Sequence, residues 1–399
     1  MSTHQNTVPA LVSGPLSGLQ TGSFSTRANM LGSVLVVLYC SIIAIIALGF
    51  PLANWDMIPY TALAQATPGQ DMATIHSAAY DTVKLAISPG DFLQLTEDRR
   101  YRVAQYASSD AFATMLPMYE VKWLYIEAVR AVSGLLGVIQ AERVINSVAM
   151  IAIGLMISFW LNANRALVFA PVIIAGLALC DIGTVARITT PDMLAGAFVL
   201  GAILALQRGQ SIIAALAMVA AVATRPDHVL LAGCLAIALM FANRDWRSAA
   251  LMLVPSLAAF AFVSNVENYP GWWTHVYLTQ IEYVPTLEGF HPEFSLATYI
   301  VAVVKAGSRA IAEEGWPVLL LMLGLGSAWV MMKIENVSRR DMALTIALLV
   351  AVVAKFMIFP INEGRFHFAY LVPALLLLVA IWANSQVRKD LGADRVVVA

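Results

Sequence analysis

The sequence predicts an all-α protein that crosses a membrane many times. Of its 399 residues, 60% are hydrophobic and only 12% are charged, where soluble domains carry about 25% charged residues. Its mean hydropathy is +0.75. The apolar residues also come in separate runs, many close to the roughly 20 residues a spanning helix needs. A net charge of −1 leaves no electrostatic footprint for nucleic acid. Cys40, Cys180 and Cys234 lie far apart inside apolar runs. They read as small buried hydrophobes, with no disulfide framework and no CxxC metal pattern.

Residues 1–29 are rich in Ser, Thr, Gly and Pro and have no apolar period, so a disordered cytoplasmic tail is expected there. A membrane domain follows over 30–386, and a second cytoplasmic tail over 387–399. About ten spans are expected, at 31–52, 144–161, 166–182, 193–207, 211–224, 228–242, 248–266, 316–333, 342–359 and 369–385. The first is expected to be a retained helix, because it lacks a cleavage site. Tight polar turns, Arg208-Gly209-Gln210 and Arg225-Pro226-Asp227, separate neighbouring runs.

Charge sets the orientation. With the N-terminus inside, every short cytoplasmic loop has an Arg or Lys, and the cytoplasmic segments hold eleven basic residues against five acids. That is the positive-inside pattern, so both termini are expected in the cytoplasm.

Two outer segments are long. The first, 53–143, is too polar to span. Gln70 to Ile87 and Asp91 to Ala107 have helical composition, and Met118 to Ile139 reads as a juxtamembrane helix on the outer surface. The second, 267–315, carries Tyr269, Trp272, Trp273, Tyr277, Tyr283 and Phe290, aromatics typical of an interface belt. Leu296 to Ala312 reads as another interfacial helix, with Lys305 and Arg309 on one face.

Four polar clusters share the outer side: Asp56; Asp181 and Asp192 with Arg187; Arg225, Asp227 and His228; and Glu363, Arg365 and His367. Charges this near the hydrocarbon are costly and mark function. Each also has a structural reading. Asp56 can cap a helix starting at Met57. Thr190-Pro191-Asp192 and Arg225-Pro226-Asp227 have the composition of helix-entry turns. Glu363 and Arg365 can form an ion pair. The functional reading makes Asp56 a general base whose pKa is raised by partial desolvation, and Arg225 and Arg365 phosphate ligands. Lys355 is expected to snorkel outward or to pair with an acid of this cleft. No Walker loop, GxGxxG, HExxH or GxSxG pattern occurs in a fitting context.

The order of these features resembles the GT-C superfamily of integral membrane glycosyltransferases, which includes protein O-mannosyltransferases and lipid A aminoarabinose transferases. The matching stretches are Trp55-Asp56-Met57-Ile58-Pro59-Tyr60, Leu116 to Tyr125, Ala141 to Ser147, Thr190-Pro191-Asp192, Arg225-Pro226-Asp227 and Arg365 to Tyr370. Where those enzymes often carry a second acid beside the first, Met57 stands here. The resemblance implies a multi-pass protein of a bacterial inner membrane with a periplasmic active site. It would move a sugar, with inversion, from a polyprenyl-phosphate donor to a hydroxyl on a glycan, lipid or protein acceptor, in cell-envelope assembly. Asp56 would be the base. Arg225, Arg365 and Arg187 would hold the donor phosphate. Asp192, Asp227, His228, Glu363, His367 and Tyr60 would contact sugar or acceptor. The outer stretches 61–118 and 267–295 would close over the substrates. No cofactor is expected; some members need a divalent metal, but the separated acids here suggest no metal site. Two other readings stay open. A transporter or flippase of a lipid-linked or anionic substrate would need charges and broken helices near mid-bilayer, and the third reading is a non-catalytic partner in a polysaccharide-assembly complex.

Overall fold

The computed structural model describes residues 22–334 and 337–396, and among these the chain is helical, with one isolated parallel bridge between Leu52 and Ile188. Six helices are long and apolar enough to cross a membrane: Met30–Gly49, Val138–Ala163, Trp246–Val263, Trp316–Lys333, Arg339–Ile358 and Phe368–Gln386. Four apolar helices are shorter: Leu167–Leu179, Asp192–Gln207, Ser211–Thr224 and Pro226–Ala242. The protein is thus a polytopic helical membrane protein. Phe368–Gln386 is its central helix, with 78% of its apolar window buried in the protein, against 28% for Met30–Gly49 at the periphery.

Close packing of small residues holds the first two long helices together. A Cβ on Gly154 would stand 2.6 Å from Cβ of Cys40. Ser147 Oγ donates to the Ala44 carbonyl at 3.1 Å, and the hydroxyls of Ser33 and Ser158 share a hydrogen bond. In lipid, where no hydrophobic force drives helices together, close approach and interhelical hydrogen bonds carry association.

Some element ends differ from expectation. The first helix begins at Gly22, so residues 22–29 are helical; residues 1–21 lie outside the described part. The last helix runs on to Val396 through most of the second expected tail, whose residues 397–399 also lie outside. The helix expected over Asp91 to Ala107 is two, Pro89–Glu97 and Arg100–Ala107, because Arg99 takes an extended conformation between them (φ −136°). Ser88 caps the first of these, with Pro89 in its first turn. Asp71 caps Met72–Ala86.

The first long loop segment, 53–143, has its own small core. Met57, Ile58 and Ala62 pack with Ile75, Tyr80, Val83, Phe92 and Phe112. The two long segments, 53–143 and 267–315, also meet each other. Tyr101 stacks on Tyr283 with centroids 4.9 Å apart, the Leu287 amide donates to Thr114 Oγ1 at 3.0 Å, and Met115 and Met118 pack with Leu278 and Leu287. In the second segment, Leu296–Glu313 is capped by Ser295. Its Lys305 donates to the Gln280 carbonyl, and Arg309 pairs with Glu313.

Candidate functional site

Asp56 ends the chain's exit from the first membrane helix and immediately precedes helix Met57–Gln65. Its side chain makes no capping hydrogen bond, so the capping reading fails. The carboxylate turns away from the helix instead. It accepts from Tyr119 Oη at 3.1 Å and from Arg365 Nη1 at 2.8 Å.

From Asp56 a continuous chain of ion pairs runs across neighbouring helix ends and turns. Arg365 Nη1 lies 3.8 Å from Asp192, and its Nε lies 2.6 Å from Glu363. Asp192, only 2% exposed, forms an ion pair with Arg225. Arg225 Nε lies 3.2 Å from Asp227, and Asp227 lies 2.5 Å from Lys355 Nζ. The Phe366 ring sits among the cations, with Arg225 at 4.5 Å, Arg365 at 4.8 Å and Lys355 at 5.7 Å from its centroid. Such contacts partly replace water around desolvated cations. The local sequence explains the convergence. Asp192 opens a helix after Thr190-Pro191, Arg225 ends Ser211–Thr224, and Arg365 lies in the 3₁₀ turn Gly364–Phe366 just before the central helix.

Most residues expected at the site meet there. Asp56, Asp192, Arg225, Asp227, Glu363 and Arg365 are joined directly, and Lys355 pairs with an acid of the cleft. Tyr60 lies next to them, edge-on to Tyr119 at 5.3 Å and to Tyr125 at 5.1 Å. Three expected residues lie elsewhere. Arg187 Nε donates to the Phe50 carbonyl at 2.8 Å and takes no part in the ion-pair chain, because its short helix Ile182–Arg187 runs beside the end of the first helix and not over Arg225. His367 is fully buried and stacks on Trp316 with centroids 4.0 Å apart, and burial pushes its imidazole down to about 3. His228 is buried and bonds Tyr370 Oη at 3.0 Å. His228 directly follows Asp227, and its Nε2, like Nδ1 of His367, is buried with no hydrogen-bond partner among the described residues.

The acidity of Asp56 is also corrected. Burial pushes its carboxyl up, as expected. The Arg365 guanidinium, with Lys122 and Tyr119, more than offsets that, so it lies below the usual carboxylate range. Tyr119 goes the other way: burial and the Asp56 charge raise its phenol well above the ordinary value, so it stays a donor.

Two participants carry little sequence signal. Tyr119 sits in the short helix Pro117–Glu120 and reaches Asp56 across 63 residues of chain. Lys122 follows it and bonds the Met118 carbonyl. Among the described residues Lys122 makes no ion pair, and burial followed by the Arg225 charge pulls its ammonium down to about 8. The hint for both was their place in the Leu116 to Tyr125 stretch. A second polar group supports the Asp56 turn from below. Thr189 Oγ1 donates to Asn54 Oδ1 at 3.2 Å, and Asn146 Nδ2 donates to the Ile188 carbonyl at 2.6 Å. Among the described residues no three of His, Cys, Asp and Glu form a metal-ligand group.

No protein-family model, curated protein or solved structure matches this chain. The functional reading therefore rests on the site itself.

Proposed function

We propose that the protein is an inverting glycosyltransferase that moves a sugar from a polyprenyl phosphate to an acceptor hydroxyl at the outer face of the membrane. The observation that carries this is the contact between Asp56 and Arg365, a candidate base held by a candidate phosphate ligand, at the outer end of a membrane domain. The likeness of its motif order to the GT-C superfamily agrees with it. In this reading the membrane is a bacterial inner membrane, the chain crosses it ten times, both termini are cytoplasmic and the site is periplasmic.

Asp56 accepts the proton of the acceptor hydroxyl as its oxygen bonds to the anomeric carbon. The bond from that carbon to the phosphate oxygen breaks on the opposite face, and its electron pair leaves with the polyprenyl phosphate. Developing phosphate charge needs cations in a site with little water. Lys122 is the cation not already paired with an acid, and Arg365 and Arg225 stand beside it. The same geometry couples donor to base. While Arg365 holds Asp56, the carboxylate is a weak base. When the donor phosphate draws Arg365 away, Asp56 loses its largest favourable partner and its basicity rises. Asp192, Asp227, Glu363 and Tyr60 remain to contact sugar and acceptor hydroxyls, and the joined outer segments exclude water that would hydrolyse the donor.

The test is sugar transfer from short-chain polyprenyl-phosphate sugars by the purified chain in detergent. Transfer that depends on Asp56 supports the reading. A wild-type protein that transfers from no lipid-linked donor removes it.

A further inference from the structure

A cavity of about 290 Å³ opens at the outer end of the first membrane helix. Phe50, Pro51 and Ile87 give it an apolar wall, and Ser88, Asp91 and Arg143 give it a polar one. None of these residues belongs to the ion-pair chain. The depth is set by the helices: Phe50 follows the end of Met30–Gly49, and Arg143 lies in the first turns of Val138–Ala163. The polar wall is thus at headgroup level. The apolar wall reaches the surface, with Phe50 71% exposed.

The two charges lining the cavity are unpaired. Arg143 donates to the Ala86 carbonyl at 3.2 Å and to Gln140 Oε1 at 3.3 Å, while its Nε is buried with no hydrogen-bond partner. Asp91 accepts the Ser88 hydroxyl at 2.7 Å through one oxygen. Among the described residues neither forms an ion pair, with each other or with any other side chain. A cation and an anion therefore face one cavity without neutralising each other.

We propose that this cavity binds the headgroup of a zwitterionic phospholipid carrying a phosphate and a primary ammonium. The phosphate takes the positive charge of the Arg143 guanidinium. The ammonium takes Asp91 and the Ser88 hydroxyl. The acyl chains run along Phe50 into the bilayer. A purely anionic headgroup would set its charge against Asp91, and a quaternary ammonium has no N–H to offer Asp91. Ala53 and Met57, which also line the cavity, flank Asp56 in sequence, so a bound lipid braces the turn that carries it. The proposal goes beyond the glycosyl-transfer reading and stands without it.

The experiment is native mass spectrometry of the delipidated full chain in detergent, titrated separately with phosphatidylethanolamine, phosphatidylglycerol, phosphatidylcholine and inorganic phosphate. The expected result is a one-to-one phosphatidylethanolamine adduct. Arg143→Gln and Asp91→Asn should each weaken it about five-fold or more, the worth of one charge-assisted hydrogen bond. Arg143→Lys and Asp91→Glu keep the charges and should bind better than Arg143→Gln and Asp91→Asn, which guards against a variant that merely misfolds. Equal binding of phosphatidylglycerol, or inorganic phosphate competing as well as the lipid, would reduce the cavity to a plain anion site and overturn the proposal. Equal lipid occupancy in wild type, Arg143→Gln and Asp91→Asn would overturn it too.

Discussion

Replacing Asp56 with Asn separates chemistry from stability. The Asn carbonyl still accepts from Tyr119, but the charge facing Arg365 is gone. Removing one partner of a fully buried ion pair costs about 3–5 kcal/mol, because the other charge is stranded. Arg365 is not stranded here: Glu363 stays 2.6 Å and Asp192 3.8 Å away. The Asp56 side chain is also 21% exposed, so solvent screens part of the loss. The stability cost should fall to about 1 kcal/mol, a change of about 2 °C in Tm. Activity should fall much further. A positioned general base is worth about 10²- to 10⁴-fold, which is about 2.7–5.4 kcal/mol of barrier at 1.36 kcal/mol per factor of ten. The assay is single-turnover sugar transfer from a polyprenyl-phosphate sugar, run beside a thermal melt in the same detergent. A variant that transfers at the wild-type rate refutes Asp56 as the base. One that melts about 10 °C lower would show that Asp56 holds the fold, and a lost activity would then say nothing about chemistry.

The remaining predictions concern charge and packing. Lys122, with its ammonium pulled down to about 8, is charged below that pH and neutral above it. The Michaelis constant for the donor should therefore rise as pH climbs through about 8, and Lys122→Arg should flatten that limb; an unchanged profile in the variant would clear Lys122 of phosphate binding. Because the folded value lies below the usual 10.5 for Lys, its buried charge opposes folding in full below about 8. Stability should thus rise between about 8 and 10.5, and Lys122→Met should lose that slope in a pH series of melts. Asp227→Asn should destabilise more than Lys355→Met, since it leaves a 4% exposed ammonium without its acid while Asp227 retains Arg225. The double variant should recover part of the loss, which a double-mutant cycle reads directly. Gly154→Ala sets a Cβ 2.6 Å from Cys40 Cβ and should lower stability by about 1–3 kcal/mol; a melt unchanged from wild type would mean the first helix can shift to take the methyl group.

The clustering of these charges at one end of the helices was readable because an apolar run and its flanking charges are local quantities. An apolar run must cross, and Arg or Lys in short loops picks the side, so helix ends that carry Asp56, Asp192, Arg225 and Arg365 fall on one face. The same reasoning misplaced Arg187 and His367. Both lie at helix ends on that face, but a face has width, and only packing says which end points where. Arg187 is tied to Phe50, and His367 is drawn under Trp316. Tyr119 and Lys122 were hidden for a different reason. They sit in the Leu116 to Tyr125 stretch, but their meeting with Asp56 depends on how the helices of 57–136 fold back.

By itself, then, the sequence determined the membrane class, the run of apolar helices and the approximate set of charges at one end of them. Composition and hydropathy are sums over neighbours in the chain, and those features depend on little else. The tertiary structure decided the pairing. Asp56 and Arg365 are 309 positions apart, and no local pattern brings them to 2.8 Å. Their contact also helped reverse the expected acidity of Asp56. Burial, which a helix mouth suggests, raises a carboxyl; the guanidinium delivered by the turn before the central helix, together with Lys122 and Tyr119, lowers it further than burial raises it.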